Sequence, residues 1–166
     1  FIHPHDPYVA RPAWWNLYND DDIDMPLNPD YATDPFGKRI LEGIEANSKP
    51  LTEEETRRAH PPYYANVSHF ESKIGVLVQA VEEMGQLDNT IIIVNADHGD
   101  MLEEKGLWYK MNFFEHAARV PLIVAGLGVA RGYSTNACSS VDLLPTMIDI
   151  GGGTAGCLAL QWMVAH

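Results

Sequence analysis

Asp97-His98-Gly99-Asp100 places a hard carboxylate oxygen and an imidazole nitrogen on consecutive residues, directly after the run Thr90-Ile91-Ile92-Ile93-Val94-Asn95-Ala96. Both groups are ligands for a divalent cation. The glycine that follows lets the backbone turn and leaves room beside a bound group. The bland alternative is an Asp-Gly turn with an incidental histidine. A second candidate is Lys110, set among Leu107, Trp108, Tyr109, Met111, Phe113 and Phe114. An ammonium held at the mouth of a site binds an oxyanion as a point charge. The competing reading is a surface lysine whose stem lies over aromatic rings. A third is His3-Pro4-His5-Asp6-Pro7-Tyr8, where prolines on both sides of His5 stiffen the backbone that aims its imidazole. His3 and His5, two apart, could also chelate a metal. His60, His69, His116 and His166 have no comparable setting and read as helix-surface or core residues. A nucleophile is missing from this inventory, with no G-x-S-x-G, no phosphate-cradling glycine loop and no H-E-x-x-H.

The elements that must carry these groups can be read from periodicity. Thr90–Ala96 is a strand whose consecutive β-branched residues suit burial on both faces, as in a parallel sheet under helices. Asp97 and His98 then fall at its carboxyl end, where ligands bind in open α/β sheets. Val120–Gly126 is a second buried strand with Pro121 at its start. Tyr63, Val67, Phe70, Ile74, Leu77, Val81 and Met84 step by 4, 3, 4, 3, 4 and 3, one face of a helix over about 62–85. Thr52-x-x-Glu55 is a capping box for a short helix before it, expected to stop ahead of His60-Pro61-Pro62. Residues 1–50 read as a long surface excursion with one short helix over 37–47, and the acidic run Asp20–Asp24 as a solvated loop. Ser139–Thr146 opens a last helix. Beyond Gly153 no element is legible. Helix, strand, loop, strand, helix is an α/β order.

Composition bounds the rest. With 166 residues, 46 % apolar and 10 % aromatic, the chain has the make-up of an ordinary globular domain. Eleven basic against 23 acidic residues leave a charge of −12. That excludes a nucleic-acid-binding or polybasic membrane-surface protein and suits a partner that is a cation. Two cysteines, Cys138 and Cys157, are too few for a disulfide scaffold or a thiolate zinc cluster.

Taken together, His-Pro-His-Asp-Pro-Tyr, the Asp-His-Gly-Asp-Met-Leu block, Gly-Leu-Trp-Tyr-Lys-Met-Asn-Phe-Phe-Glu and Ala-Arg-Val-Pro-Leu resemble the sulfatase family of the alkaline phosphatase superfamily, in the wording of its choline sulfatases. The resemblance runs over about residues 1–150 and is specific in 1–8, 91–121 and 139–149. It implies an α/β fold, a central mostly parallel or mixed sheet flanked by helices, here incomplete. It implies hydrolysis of a sulfate monoester with a divalent metal, calcium first and manganese or magnesium as alternatives. Carried over by position, Asp97 and His98 match metal ligands, Lys110 the lysine on the sulfate oxygens thirteen residues past the aspartate, and His5 the histidine that binds sulfate or assists the leaving oxygen.

The family's nucleophile is a formylglycine made in a C/S-x-P-x-R motif, and that motif is absent. Cys138 precedes Ser139-Ser140-Val141 and Cys157 precedes Leu158-Ala159-Leu160. The expectation is therefore residues 1–166 as part of one catalytic domain, 151–166 unassigned, with no turnover by the chain alone and apolar surface left exposed. The resemblance further implies a small-molecule sulfate ester as partner, no nucleic acid, no membrane, a homo-oligomeric parent, and a cytoplasmic bacterial setting with periplasm or secretion as alternatives. Two rivals stand beside it: a phosphonate or phosphate monoester hydrolase of the same superfamily, and a non-catalytic binding domain.

Overall fold

The structure is a computed structural model and describes residues 1–48 and 50–153. Cys157, Trp162 and His166, and with them most of the unassigned tail, lie outside the described residues. The chain forms two compact units, residues 1–83 with 98–120 and residues 84–97 with 121 onward.

The first unit holds helices α1 (Pro12–Trp15), α2 (Pro35–Gly43), α3 (Glu53–Glu83) and α4 (Glu115–Ala118). The Asp34 side chain caps α2 by accepting from the Phe36 and Gly37 N–H groups. Those backbone donors, Gly37 first, hold its carboxyl below the usual carboxylate range. At α3 the capping box forms: Glu55 N–H reaches the Thr52 hydroxyl at 3.2 Å, and Thr52 N–H reaches the Glu55 carboxylate at 2.8 Å. Three glutamates in the first turn complement the helix dipole.

The expected stop before His60-Pro61-Pro62 does not occur, and α3 runs 31 residues with both prolines inside. Each interior proline removes an N–H donor and costs about 3 kcal/mol. Here His60, Pro61, Pro62, Ala65 and Asn66 form one buried patch, so packing offsets what local propensity opposes. The rings of Phe1, Trp14 and Tyr18 meet Phe70, His69 and Tyr64 and lay the N-terminal segment along α3. Farther along, the expected apolar stripe is open, with Val67, Leu77 and Met84 exposed.

The buried cluster of this unit joins Ala32, Leu41, Met101, Leu107 and Ala117. It therefore spans three stretches: the 32–41 region, the segment after Asp-His-Gly-Asp, and α4. Glu104, also buried, accepts from the Leu27 and Asn28 N–H groups at 2.6 and 3.0 Å. The Asp20–Asp22 turn is exposed, as a solvated loop should be.

The second unit contains β1 (Ile91–Asn95), β2 (Leu122–Gly126) and α5 (Leu143–Ile150), the last preceded by a Ser139–Asp142 capping box. The strands pair antiparallel, from Ile91 opposite Gly126 to Asn95 opposite Leu122. The chain is thus α/β as read, but this pair is not the parallel one that doubly buried runs suggest. The connection from 96 to 121 carries a three-residue 3-10 turn and a four-residue helix, and no crossover helix. Every residue of β1 is half-buried, not covered on both faces, because β2 is its one hydrogen-bonded neighbour among the described residues. Ile123, Leu144 and Met147 are exposed, in line with the expected open apolar surface. Among the described residues, no helix is long and apolar enough to cross a membrane.

Candidate functional site

Lys110 and His5, 105 residues apart in sequence, meet: Lys110 Nζ lies 2.5 Å from His5 Nε2. The geometry fixes the imidazole's protons. His5 Nδ1 is 2.8 Å from the Asp6 carbonyl oxygen, which can only accept, so Nδ1 carries the hydrogen and Nε2 presents its lone pair to the ammonium. The Asp6 carboxylate completes the cluster, with Oδ1 3.3 Å from Lys110 Nζ and 3.2 Å from His5 Nδ1. The Lys110 side chain is about three-quarters covered while His5 is half open. An ammonium so held is a ready oxyanion site.

His98 stands beside this pair, its ring centroid 6.3 Å from that of His5. Its Nδ1 donates to the Gly99 carbonyl oxygen at 2.9 Å, which leaves the lone pair on Nε2, the tautomer a metal ligand needs. Asp97, the residue before it, is exposed at the end of the β1 segment. A carboxylate and a neutral imidazole are both donor types that a hard divalent ion takes. Among the described residues no group of three or more His, Cys, Asp or Glu side chains gathers for a metal. Gly99 serves a purpose other than a sharp turn. Its N–H donates to the Ala117 carbonyl at 2.8 Å, and a Cβ there would overlap the His116 carbonyl oxygen.

His3 does not join the cluster. Its ring packs against His69 at 5.4 Å, which distinguishes it from His5 as the imidazole at Lys110. His60 is buried, with Nε2 3.1 Å from the Leu102 carbonyl, and His116 lies 3.8 Å from Glu104. Cys138 is exposed and free.

Three residues at the site were not singled out by spacing. Asp6 neighbours His5 and reads as part of a proline-bounded turn. Asp100 accepts from the Tyr8 hydroxyl at 2.6 Å and from the Leu102 and Tyr109 N–H groups at 3.1 Å each. Tyr8 sits among the rings of Tyr63, Trp108 and Tyr109 at 5.6, 6.2 and 5.8 Å. Burial, then the hydrogen bond to Asp100, push the Tyr8 hydroxyl far above the phenol range and keep it a donor. Burial and the Asp100 charge push Tyr63 up to about 12. The second aspartate of Asp-His-Gly-Asp and the tyrosine closing the first motif were signals that could have been paired.

Comparison with known proteins identifies the family of the chain. The sequence pattern of the Sulfatase family matches residues 2–153. A choline-sulfatase of Rhizobium meliloti (strain 1021) is 43 % identical over 158 residues, covering 92 % of this chain and 30 % of that protein. An arylsulfatase of Clostridium perfringens is 29 % identical over 154 residues, covering 90 % of this chain and 32 % of its own length. Among solved structures, a phosphonate monoester hydrolase from Silicibacter pomeroyi superposes with a TM-score of 0.77 at 25 % identity, over 96 % of this chain and 37 % of that one. The chain thus spans about a third of the length of the curated relatives it matches. With the family pattern matched over nearly its whole length and a relative this similar, the chain belongs to the sulfatase family.

Proposed function

We propose that this chain supplies the sulfate-binding pair and part of the metal set of a sulfate monoester hydrolase, with choline sulfate as substrate and residues 1–166 as one stretch of its catalytic domain. The observation that carries the reading is the convergence of Lys110 Nζ on His5 Nε2. Lys110 would offset the charge on the non-bridging sulfate oxygens. His5, oriented through Nδ1 by the Asp6 carbonyl, accepts from the Lys110 ammonium at Nε2 and would hold that charge donor at the sulfate. Asp97 and His98 would hold two positions of a divalent ion, calcium by preference. When bound, that ion supplies a Lewis acid that polarises and orients the sulfate. Neither cysteine lies in the formylglycine motif, so no nucleophilic step is assigned to a residue of this chain.

A second reading, phosphonate monoester hydrolysis, is favoured by the superposition on the Silicibacter pomeroyi enzyme. Turnover of choline sulfate and of a phosphonate monoester by the full-length protein carrying this sequence separates the two. The sulfate ester should give the higher kcat/KM. Lys110→Ala should lower it by about 10²–10³, the effect of removing one preorganised charge donor. A higher kcat/KM on the phosphonate selects the second reading. The 166-residue chain assayed alone should show no turnover, and turnover that vanishes in Lys110→Ala would overturn the partial-site account.

A further inference from the structure

We infer that Asp100 is the positioning residue that sets Lys110 against His5, by clamping with one carboxylate the two segments that bring them. The inference rests on the reading of Lys110 and His5 as the oxyanion pair. His5 belongs to a segment of two X-Pro steps, exposed at Phe1, Ile2 and Val9. Lys110 lies on an irregular stretch with no helix or strand to hold it. Neither has regular structure to fix its direction, so something else must.

Asp100 is built for this. Oδ2 accepts from the hydroxyl of Tyr8, three residues after His5, at 2.6 Å. Oδ1 accepts from the N–H of Tyr109, the residue immediately before Lys110, at 3.1 Å. The same Oδ1 takes the Leu102 N–H at 3.1 Å and so ties the carboxylate to its own loop. A second bridge runs alongside, from Met101 N–H to the Tyr109 carbonyl at 2.7 Å. The tyrosine ring is held in turn by Tyr63 on α3 and by Trp108 and Tyr109.

The backbone at Lys110 shows why a clamp is needed. Tyr109 and Met111, its two neighbours, have φ of 64° and 77°, left-handed values that side chains other than glycine's rarely adopt. Such residues persist where surrounding contacts over-determine them. The hydrogen bond to Tyr109 N–H falls on one of the two. The Asp100 carboxylate hydrogen-bonds to neither Lys110 nor His5 and acts on both through Tyr109 and Tyr8.

Asp100→Ala, Asp100→Asn and Tyr8→Phe in the full chain test this by two readouts. The first is the His5 tautomer without ligand, from two-bond ¹⁵N–¹H spectra. The second is affinity for inorganic sulfate, by calorimetry. In Asp100→Ala the Nδ1–H tautomer of His5 should give way to a mixture, and sulfate affinity should fall about tenfold. Asparagine can accept both backbone N–H groups at Oδ1 and donate to the Tyr8 oxygen, so Asp100→Asn should restore both readouts. Tyr8→Phe should fall between. An unchanged His5 tautomer in Asp100→Ala overturns the inference. So does an asparagine variant as damaged as the alanine one, because charge and not position would then be what Asp100 provides. If the wild-type chain binds no sulfate, the oxyanion reading fails, while the tautomer still decides the part played by Asp100. If Asp100→Ala loses its circular dichroism, the Asn and Tyr8→Phe variants decide.

Discussion

The loop from 98 to 111 and the β1–β2 pair exchange the parts their sequences suggest. The loop is full of charge and has one short turn, Glu104–Gly106, yet it contains the two largest fully buried side chains described, Met101 and Leu107, with Glu104 beside them. The strands carry the longest aliphatic runs, yet β1 is only half-buried and Ile123 of β2 is exposed. An apolar run states what its side chains prefer. What surrounds them is decided by the rest of the fold. In the loop, two carboxylates do what a ladder does in a sheet: Glu104 gathers the N–H groups of 27 and 28, and Asp100 those of 102 and 109. A site built on irregular backbone is held by such acceptors, and they are as informative as the groups that face the ligand.

The contrast can be broken by substitution. Met101→Ala should cost most, about 2–5 kcal/mol, because it empties a fully buried position. Chemical denaturation reads this, and a loss near zero would show the loop is not the core. Glu104→Ala should follow at about 1–3 kcal/mol, since it strands the Leu27 and Asn28 N–H groups. Glu104→Gln should recover part. Ile123→Ala, on the strand, should cost less than about 1 kcal/mol at its exposed position. A larger loss than for Met101→Ala would reverse the comparison.

The smallest effect is in alkali. Tyr63 has its folded pKa raised above the unfolded value near 10, to about 12. A raised folded pKa contributes stability that is fully present below pH 10 and is lost as pH climbs through the folded value. Absorbance at the phenolate band should therefore show a late-titrating fraction in the folded chain that moves to near pH 10 in denaturant. Identical titrations in both states would remove the burial assigned to Tyr63.

Much of the fold was legible where a local rule decides. The Thr52–Glu55 box, the capped helix start after Ser139 and both strands stand where propensity and capping put them. The prolines at 61 and 62 defeated such a rule because burial of their patch is a tertiary fact. The antiparallel pairing was hidden because aliphatic runs suit either direction. At the site, the meeting of Lys110 with His5 was implied by resemblance and not by spacing, as 105 residues lie between them. Asp6, Tyr8 and Asp100 were missed because each has an ordinary turn or aromatic reading, and only the fold shows the bonds that join them.

Calorimetric titration of the full chain and of Lys110→Ala with inorganic sulfate tests whether Lys110 and His5 form an oxyanion site. The wild type should bind saturably, and the variant should bind at least about tenfold more weakly. No binding by the wild type, or equal binding by both, would contradict such a site.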